Sequence, residues 1–385
     1  MSRPVKNVAV LGSTGSIGTR TLEVIAASQG RLRAYVLSAH RQLARLLHQA
    51  HDLRPRWAVA TDRVAAQQFD WSGLPADCQP LFGDEGVEQT VRLAEVDIVV
   101  AAIVGTAGLR GTWAALESGK TVALANKETL VMAGPLAIEL ASRTGAKILP
   151  VDSEHSAVFQ AVQCGCHAEV KRIVLTASGG PFRERRADAL QHVTIADALD
   201  HPTWDMGPKI TVDSATLMNK ALEIIEARWL FRLSADQIDV VIHPQSIVHS
   251  LVEFVDGSVI AQLSPPDMRL PIQYALDYPE RHAGVAARLD WTQARHLDFE
   301  PADFDRFPAL ALGLEAARAA GTAGAVLNGA NEAAVARFLA GKLQFTKIVP
   351  ICQSVLAAHD FDPHPTLHEL MRLDRWARQE VLRWK

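Results

Sequence analysis

Val5-Lys6-Asn7-Val8-Ala9-Val10-Leu11-Gly12-Ser13-Thr14-Gly15-Ser16-Ile17-Gly18 decides how the rest of the chain is read. The apolar run Val5 to Leu11 predicts a buried strand. It stops at a glycine-rich turn, after which Thr19 to Ala27 has helical spacing. Strand, glycine turn and helix in that order are what a dinucleotide site requires. Glycines let the backbone approach a pyrophosphate, and the helix N-terminus offers free N–H groups and a positive dipole. The spacing is G-x-x-G-x-x-G rather than G-x-G-x-x-G, so the context carries the reading and a purely structural glycine turn is the alternative.

The next strand, Arg33 to Leu37, selects between dinucleotides. A site for NAD places Asp or Glu near its end to accept from the ribose 2′-hydroxyl. Here the chain continues Ser38-Ala39-His40-Arg41-Gln42, without a carboxylate. Arg41, helped by His40, can hold a 2′-phosphate, which points to NADP; a solvated Arg at a helix start is the plainer alternative.

Outward from this pair of strands the alternation continues. Leu43 to Ala50 reads as a helix, Asp97 to Val104 as a strand, and Thr112 to Ser118 as a helix stopped by Gly119. Thr121 to Leu124 is a strand, Thr129 to Ser142 a helix and Lys147 to Val151 a strand. Continuous apolar strands alternating with helices predict an α/β fold with a parallel sheet covered on both faces. From Asp152 to Arg288 the polar loops lengthen, and a second α/β domain is expected. Its strands are Ile173 to Thr176, Val240 to Ile242 and Ser258 to Leu263, with a helix at Ala221 to Phe231. Residues 289–306 form a connector. Residues 307–385 are helical, with segments Pro308 to Ala320, Asn331 to Ala340 and Thr346 to His359. A last helix opens on the capping-box pattern Thr366-x-x-Glu369.

Composition excludes several classes. At roughly 150 residues per domain, 385 residues make two or three domains. Apolar residues at 48 % and charged residues at 21 % exclude disorder and coiled coil. A net charge of −4, without a basic block, gives no reason to expect nucleic acid. The longest apolar run, Ile98 to Val104, is too short to span a bilayer. Met1-Ser2-Arg3-Pro4 runs straight into the first strand, so no signal peptide is expected. Four cysteines make no disulfide framework, and Cys164 with Cys166 lacks the second pair a zinc site needs, so a reducing cytoplasm is expected.

Three further stretches carry chemistry. Val151-Asp152-Ser153-Glu154-His155 lies at a strand end. On an extended backbone Asp152 and Glu154 would point to one side, and such a pair repels unless a cation or proton intervenes. With Glu223 as a third candidate, an all-oxygen set suits Mg²⁺ or Mn²⁺; a plain surface pair is the alternative, and His155 reads as structural. Ser178-Gly179-Gly180 and Asp213-Ser214-Ala215-Thr216-Leu217-Met218-Asn219-Lys220 offer hydroxyls, free N–H groups and a Lys for an anion, although helix-capping Ser and exposed Lys are common. His201-Pro202-Thr203-Trp204-Asp205-Met206-Gly207-Pro208 reads equally as a flap over a ligand or as a loop anchored by Trp204.

Taken together, these residues resemble the 1-deoxy-D-xylulose 5-phosphate reductoisomerase family over essentially the whole chain. The resemblance rests on GSTGSIG at 12–18, AAIVGTAGL at 101–109, ALANKETLV at 123–131 and VDSEH at 151–155. It continues with SGGPFR at 178–183, HPTWDMGPKITVDSATLMNKALE at 201–223, HPQSIVHS at 243–250 and LNGANE at 327–332. It implies a Rossmann-like NADPH domain (1–151), a central catalytic domain (152–288), a helical bundle domain at the C-terminus and a homodimer. It implies Asp152, Glu154 and Glu223 as ligands of the divalent metal. It implies Lys127, Ser153, Glu154, Ser178, His201, Ser214, Asn219, Lys220 and Glu223 as substrate contacts, with Lys127 and the three carboxylates catalytic. The cofactor contacts would be Thr14, Gly15, Ser16, Ile17, His40, Arg41, Gln42, Asn126, Glu128 and Gly207, with Trp204 and Met206 in the flap. Many members carry Gly-Lys-Asn where this chain has His40-Arg41-Gln42; the positive charge survives at Arg41. The implied reaction is metal-dependent rearrangement and NADPH-dependent reduction of 1-deoxy-D-xylulose 5-phosphate to 2-C-methyl-D-erythritol 4-phosphate.

Two rival classes remain. A semialdehyde dehydrogenase shares the glycine spacing but needs a nucleophilic Cys, and Cys78, Cys164, Cys166 and Cys352 all lie outside these stretches. A nonenzymatic NADPH sensor would not need the three carboxylates with Lys127 and Lys220.

Overall fold

The computed structural model describes residues 4–384; Met1 to Arg3, part of the basis for expecting no signal peptide, lie outside them. The chain forms two compact units, each discontinuous in sequence. The first holds the chain through Thr129, then Ala137–Ser156 and Asp267–Ala287. The second holds Leu130–Leu136, Ala157–Pro266 and the chain from Arg288 onward.

The first unit is built on seven strands. They are β1 (Lys6–Leu11), β2 (Leu32–Ala39), β3 (Trp57–Ala60), β4 (Gln79–Phe82), β5 (Ile98–Ala101), β6 (Thr121–Leu124) and β7 (Lys147–Pro150). All pair in parallel, in the order β4-β3-β2-β1-β5-β6-β7. The central strands are buried on both faces, as in Ile-Val-Val-Ala of β5, because helices cover both sides. The helices are α1 (Ser16–Ala26), α2 (Leu43–Leu53), α3 (Arg63–Gln68), α4 (Gly83–Val91) and α5 (Leu109–Glu117). The strand order reverses direction at β1, between β2 and β5. In such sheets ligands bind beyond the carboxyl ends of the strands at that reversal.

Helices α6 (Glu128–Thr144) and α7 (Ser153–Ala161) contribute residues to both units. Helix α6 kinks at Ala133, two residues before Pro135, whose ring and missing N–H interrupt the helical bonding.

The second unit carries a mixed sheet of β8 (Val170–Ala177), β9 (Ile238–Ile242), β10 (Val248–Phe254), β11 (Val259–Leu263) and β12 (Glu300–Pro301). Its order is β11-β10-β8-β9-β12, and only β8 and β9 run parallel. Helices α8 (Ile195–Leu199), α9 (Pro208–Ala215) and α10 (Met218–Leu230) belong to this unit. Helix α11 (Arg269–Asp277) belongs instead to the first unit, where Asp277 takes the guanidinium of Arg31 at 2.8 Å. Packing therefore cuts the chain elsewhere than the expected boundary at 288.

The C-terminal helices are α12 (Ala309–Ala319), α13 (Ala323–Leu339), α14 (Ile348–Ala358) and α15 (Leu367–Arg383). They share one continuous apolar core with β8, α9 and α10. The expected capping box is present: Thr366 accepts from the Glu369 N–H, and Glu369 accepts from the Thr366 N–H at 2.7 Å. Helix α13 begins eight residues before the expected Asn331. Its first nine residues are buried, Asn328 included, so no polar face marked them in the sequence. No helix among the described residues is long and apolar enough to cross a membrane.

Candidate functional site

In the first unit the glycine turn sits at the carboxyl end of β1. Gly12 has φ +82°, and a Cβ there would lie 2.9 Å from the Ala102 carbonyl oxygen. Glycine therefore lets this turn and the chain after β5 approach closely. Gly18 is tighter: its Cβ would lie 2.2 Å from the Gly12 oxygen and 2.5 Å from Ser13 Cα. Gly15 caps α1, so no side chain blocks the first turn, and Ser16 is exposed. An anion meets open N–H groups there, which fits a dinucleotide pyrophosphate.

Residues not singled out in the sequence hold this turn. The Gly12 N–H donates to Ser38 Oγ at 3.0 Å, and the Ser13 hydroxyl donates to Gln49 Oε1 at 2.7 Å. Gln49 Nε2 returns a bond to the Ser13 carbonyl at 2.9 Å. Arg45 donates to the Thr14 carbonyl and to Thr19 Oγ1, both at 3.0 Å. Gln49 did leave a signal, a polar residue in the buried stripe Leu43-Leu46-Gln49-Ala50 of α2.

Beyond β2, His40 and Arg41 are exposed and Gln42 caps α2. His40 Nδ1 lies 3.0 Å from Thr61 Oγ1, and Arg41 Nε donates to Asp62 Oδ2 at 2.8 Å.

Asn126 and Glu128 are buried where α6 begins. Asn126 Nδ2 donates to the carbonyls of Ile103 (2.6 Å) and Gly105 (2.9 Å) and to Glu128 Oε2 (3.0 Å); its Oδ1 accepts from Thr129. Asn126 thus bolts the loop after β5 to the start of α6. Beside it, Lys127 Nζ lies 2.7 Å from Asp152 Oδ2, with both side chains largely buried. Helix α7 starts at Ser153, so the extended backbone expected at 152–154 is a helix start. Asp152 precedes α7 and Glu154 lies in its first turn, where the dipole favours carboxylates. The Ser153 hydroxyl donates to Glu154.

The second unit holds the other expected residues, Gly207 included. Ser178 follows β8 and leads into Gly179 (φ +85°) and Gly180 (φ +66°); a Cβ on Gly180 would lie 2.6 Å from the Ser214 carbonyl oxygen. That approach brings two hydroxyls to one imidazole. His201 Nε2 lies 3.1 Å from Ser178 Oγ and 3.0 Å from Ser214 Oγ. Its Nδ1 accepts the N–H groups of Thr203 (3.1 Å) and Trp204 (3.0 Å). A nitrogen that accepts twice carries no proton, so the neutral ring holds its proton on Nε2. Burial also lowers the His201 pKa, favouring the neutral form. With Nε2–H as donor, both serine hydroxyls can turn their own protons outward to an anion.

On α10, Lys220 and Glu223 form a buried ion pair, and Asn219 Nδ2 donates to the other Glu223 oxygen at 2.5 Å. Lys220 and Asn219 thus both bind Glu223. One helix back, buried Asp213 takes Lys209 Nζ at 2.9 Å and Asn331 Nδ2 at 2.8 Å, which fixes α9 and the adjacent Ser214. Trp204 faces the His249 ring at 6.3 Å between centroids, and no helix or strand covers 201–207. Cys78 and Cys352 are buried, Cys164 and Cys166 exposed.

Three family models match in chain order. They are 1-deoxy-D-xylulose 5-phosphate reductoisomerase over residues 8–134, its C-terminal domain over 148–231, and the DXP reductoisomerase C-terminal domain over 263–380. The 1-deoxy-D-xylulose 5-phosphate reductoisomerase of Heliobacterium modesticaldum is 51% identical over 379 residues, covering 97% of this chain and 96% of the relative. That of Rhodopirellula baltica is 47% identical over 435 residues, covering 98% and 94%. A crystal structure of DOX-P reductoisomerase in complex with NADPH, fosmidomycin and magnesium superposes with TM-score 0.92 at 42% identity, covering 98% of each chain. The Zymomonas mobilis enzyme in complex with NADPH gives 0.90 at 40%, again covering 98% of each. With three family models matching along the chain and relatives 51% and 47% identical over nearly its whole length, the chain belongs to the 1-deoxy-D-xylulose 5-phosphate reductoisomerase family.

Proposed function

We propose that Asp152, Glu154 and Glu223 are the carboxylates that hold the divalent ion, and that Lys127 is the cation beside the reacting oxygens. The observation that carries this reading is a pair of buried ion pairs, Lys127–Asp152 in the first unit and Lys220–Glu223 in the second. Charges are costly to bury, and where they recur on functional motifs they point to chemistry. The activity is that of the family: NADPH-dependent, metal-dependent conversion of 1-deoxy-D-xylulose 5-phosphate to 2-C-methyl-D-erythritol 4-phosphate. An all-carboxylate set fits Mg²⁺ or Mn²⁺, and the open first turn of α1 fits the pyrophosphate of NADPH.

When bound, the metal polarises the substrate's ketone and adjacent hydroxyl, and NADPH supplies hydride. The chain's residues do the rest. Ser178 and Ser214, freed as donors by His201 Nε2–H, hold the phosphate, with Asn219 and Lys220 shared between it and Glu223. Anchoring that remote group orients the reacting carbons. Lys127 donates to the oxygen that gains charge. Thr14, Gly15, Ser16 and Ile17 receive the pyrophosphate, while His40, Arg41 and Gln42 receive the 2′-phosphate. Asn126, Glu128 and Gly207 complete the cofactor contacts, and Ser153 the substrate contacts. Trp204 and Met206 close over the substrate and exclude water.

In this reading residues 1–151 serve the cofactor, 152–288 the metal and substrate, and 307–385, after the connector 289–306, brace the catalytic domain or join the dimer interface. The protein works as a cytoplasmic homodimer. The test is NADPH oxidation started with 1-deoxy-D-xylulose 5-phosphate after chelator treatment, with and without Mg²⁺ or Mn²⁺. Metal-restored turnover supports the reading; turnover that ignores the chelator sinks the metal assignment. Light scattering in solution tests the dimer.

A further inference from the structure

We infer that Asp62 is a specificity-determining residue: it positions Arg41 as a clamp for the 2′-phosphate and so sets the preference for NADPH over NADH. The inference rests on the reading of Arg41 as the 2′-phosphate contact. Strand register creates the relationship. Ala39 of β2 pairs with Ala60 of β3, so the residues just past the two strands emerge side by side at the carboxyl edge of the sheet. Asp62 uses its two oxygens differently. Oδ1 accepts the N–H groups of Val64 and Ala65, both at 3.1 Å, and so caps α3. Oδ2 takes Arg41 Nε at 2.8 Å.

The guanidinium is therefore held by its inner nitrogen. Among the described residues Nη1 and Nη2 have no partner, and the side chain is 76% exposed. Two outward N–H pairs on a fixed planar group match two oxygens of a phosphate. A free Arg would lose side-chain entropy on binding; an Arg already held through Nε loses less. The cap also keeps Asp62 itself still, and the bond from Arg41, with those from Ala65 and Val64, holds its carboxyl below the usual range, hence ionised. Asp62 touches no cofactor; its Oδ2 also lies 3.9 Å from His40 Nε2, beyond hydrogen-bond reach, so its hold on the clamp is through Arg41.

Charge alone predicts the opposite sign. A carboxylate near a phosphate repels it, so neutralising Asp62 would tighten NADPH binding if positioning played no part. Asp62→Asn separates the two effects. Asn caps a helix as well as Asp, so α3 keeps its Oδ1 bonds, while an amide nitrogen or weaker acceptor faces Arg41. Asp62→Ser is a second cap-forming variant, too short to reach Arg41.

The experiment is calorimetric titration of the protein with NADPH and with NADH, for the wild type, both Asp62 variants, Arg41→Ala and Asp62→Asn/Arg41→Ala. Asp62→Asn and Asp62→Ser should each weaken NADPH about three- to tenfold, the scale of one charge-assisted hydrogen bond on a mostly exposed group, with NADH within about twofold. Added to Arg41→Ala, the Asp62 change should do nothing more. Unchanged or tighter NADPH binding in the Asp62 variants, while Arg41→Ala removes the preference, overturns the role of Asp62. An unchanged preference in Arg41→Ala overturns the reading of Arg41 and the inference with it.

Discussion

Lys127 Nζ and Asp152 Oδ2 sit 2.7 Å apart, both largely buried, one at the start of α6 and the other just before α7. Two helix starts thus deliver opposite charges to one point. Asp152→Asn keeps the shape and removes the charge. Turnover at saturating Mg²⁺ should fall about a hundredfold or more, since a lost ligand exceeds the cost of disturbing a ligand's support. The NADPH dissociation constant should stay within about twofold, because the glycine turn is untouched. Steady-state kinetics with calorimetry checks both, and unchanged turnover removes Asp152 from the metal.

Gly18→Ala tests the glycine turn. The added methyl would meet backbone, the Gly12 oxygen at 2.2 Å and Ser13 Cα at 2.5 Å, and backbone cannot swing aside as a side chain can. A cost of about 2 kcal/mol or more in denaturant unfolding is expected, with loss of NADPH binding. A variant of full stability that binds NADPH normally would show that α1 can shift freely against the turn.

Trp204→Ala tests the flap. Trp204 donates its backbone N–H to His201 and sets its ring near His249, so the loop path should survive while the apolar cover is lost. The substrate KM should rise about tenfold, the scale of a buried aromatic anchor, with NADPH binding unchanged. Unchanged kinetics would make Trp204 a packing residue.

His249 sets a pH dependence. Burial, with smaller pushes from His243 and Lys220, drives its pKa from 6.5 down to about 4. Between those values the unfolded chain binds a proton that the folded chain refuses, so stability falls as pH falls through that window. Urea midpoints measured across it should slope downward toward acid, and His249→Gln should flatten the slope. An equal slope in the variant would assign the effect to other groups.

Thiol chemistry separates the family from a cysteine-dependent dehydrogenase. Burial pushes Cys78 up to about 11 and raises Cys352 strongly, while Cys164 and Cys166 are exposed. Iodoacetamide should label Cys164 and Cys166 and leave NADPH oxidation intact. Inactivation prevented by substrate would revive the rival.

What could be read from sequence follows from which signals are local. The first strand, its glycine turn and the Thr366 cap announce themselves within a few residues. Strands β3 and β4 do not: each has four residues, and β4 is an edge strand that contains Pro80. Strand β10 is hidden because it buries His249 and Ser250 near its start, where a sequence pattern reads them as polar. Among site residues, Lys127, His201 and Glu223 stood out through the family's motifs. Asp62 was not singled out in the sequence; its hold on Arg41 comes from the strand register, which no local pattern reveals. The kink at Ala133 and the placement of α11 with the first unit are likewise tertiary.

Helix α11 carries one more consequence. The first unit is complete only when residues 267–287 have been synthesised, more than a hundred residues after its seventh strand. Folding on the ribosome therefore cannot finish the first unit before the second is under way, the usual order for tandem domains. A message truncated between the two stretches yields an open sheet lacking its closing helix, and a gene fragment ending at residue 151 should not be treated as a free-standing cofactor-binding module.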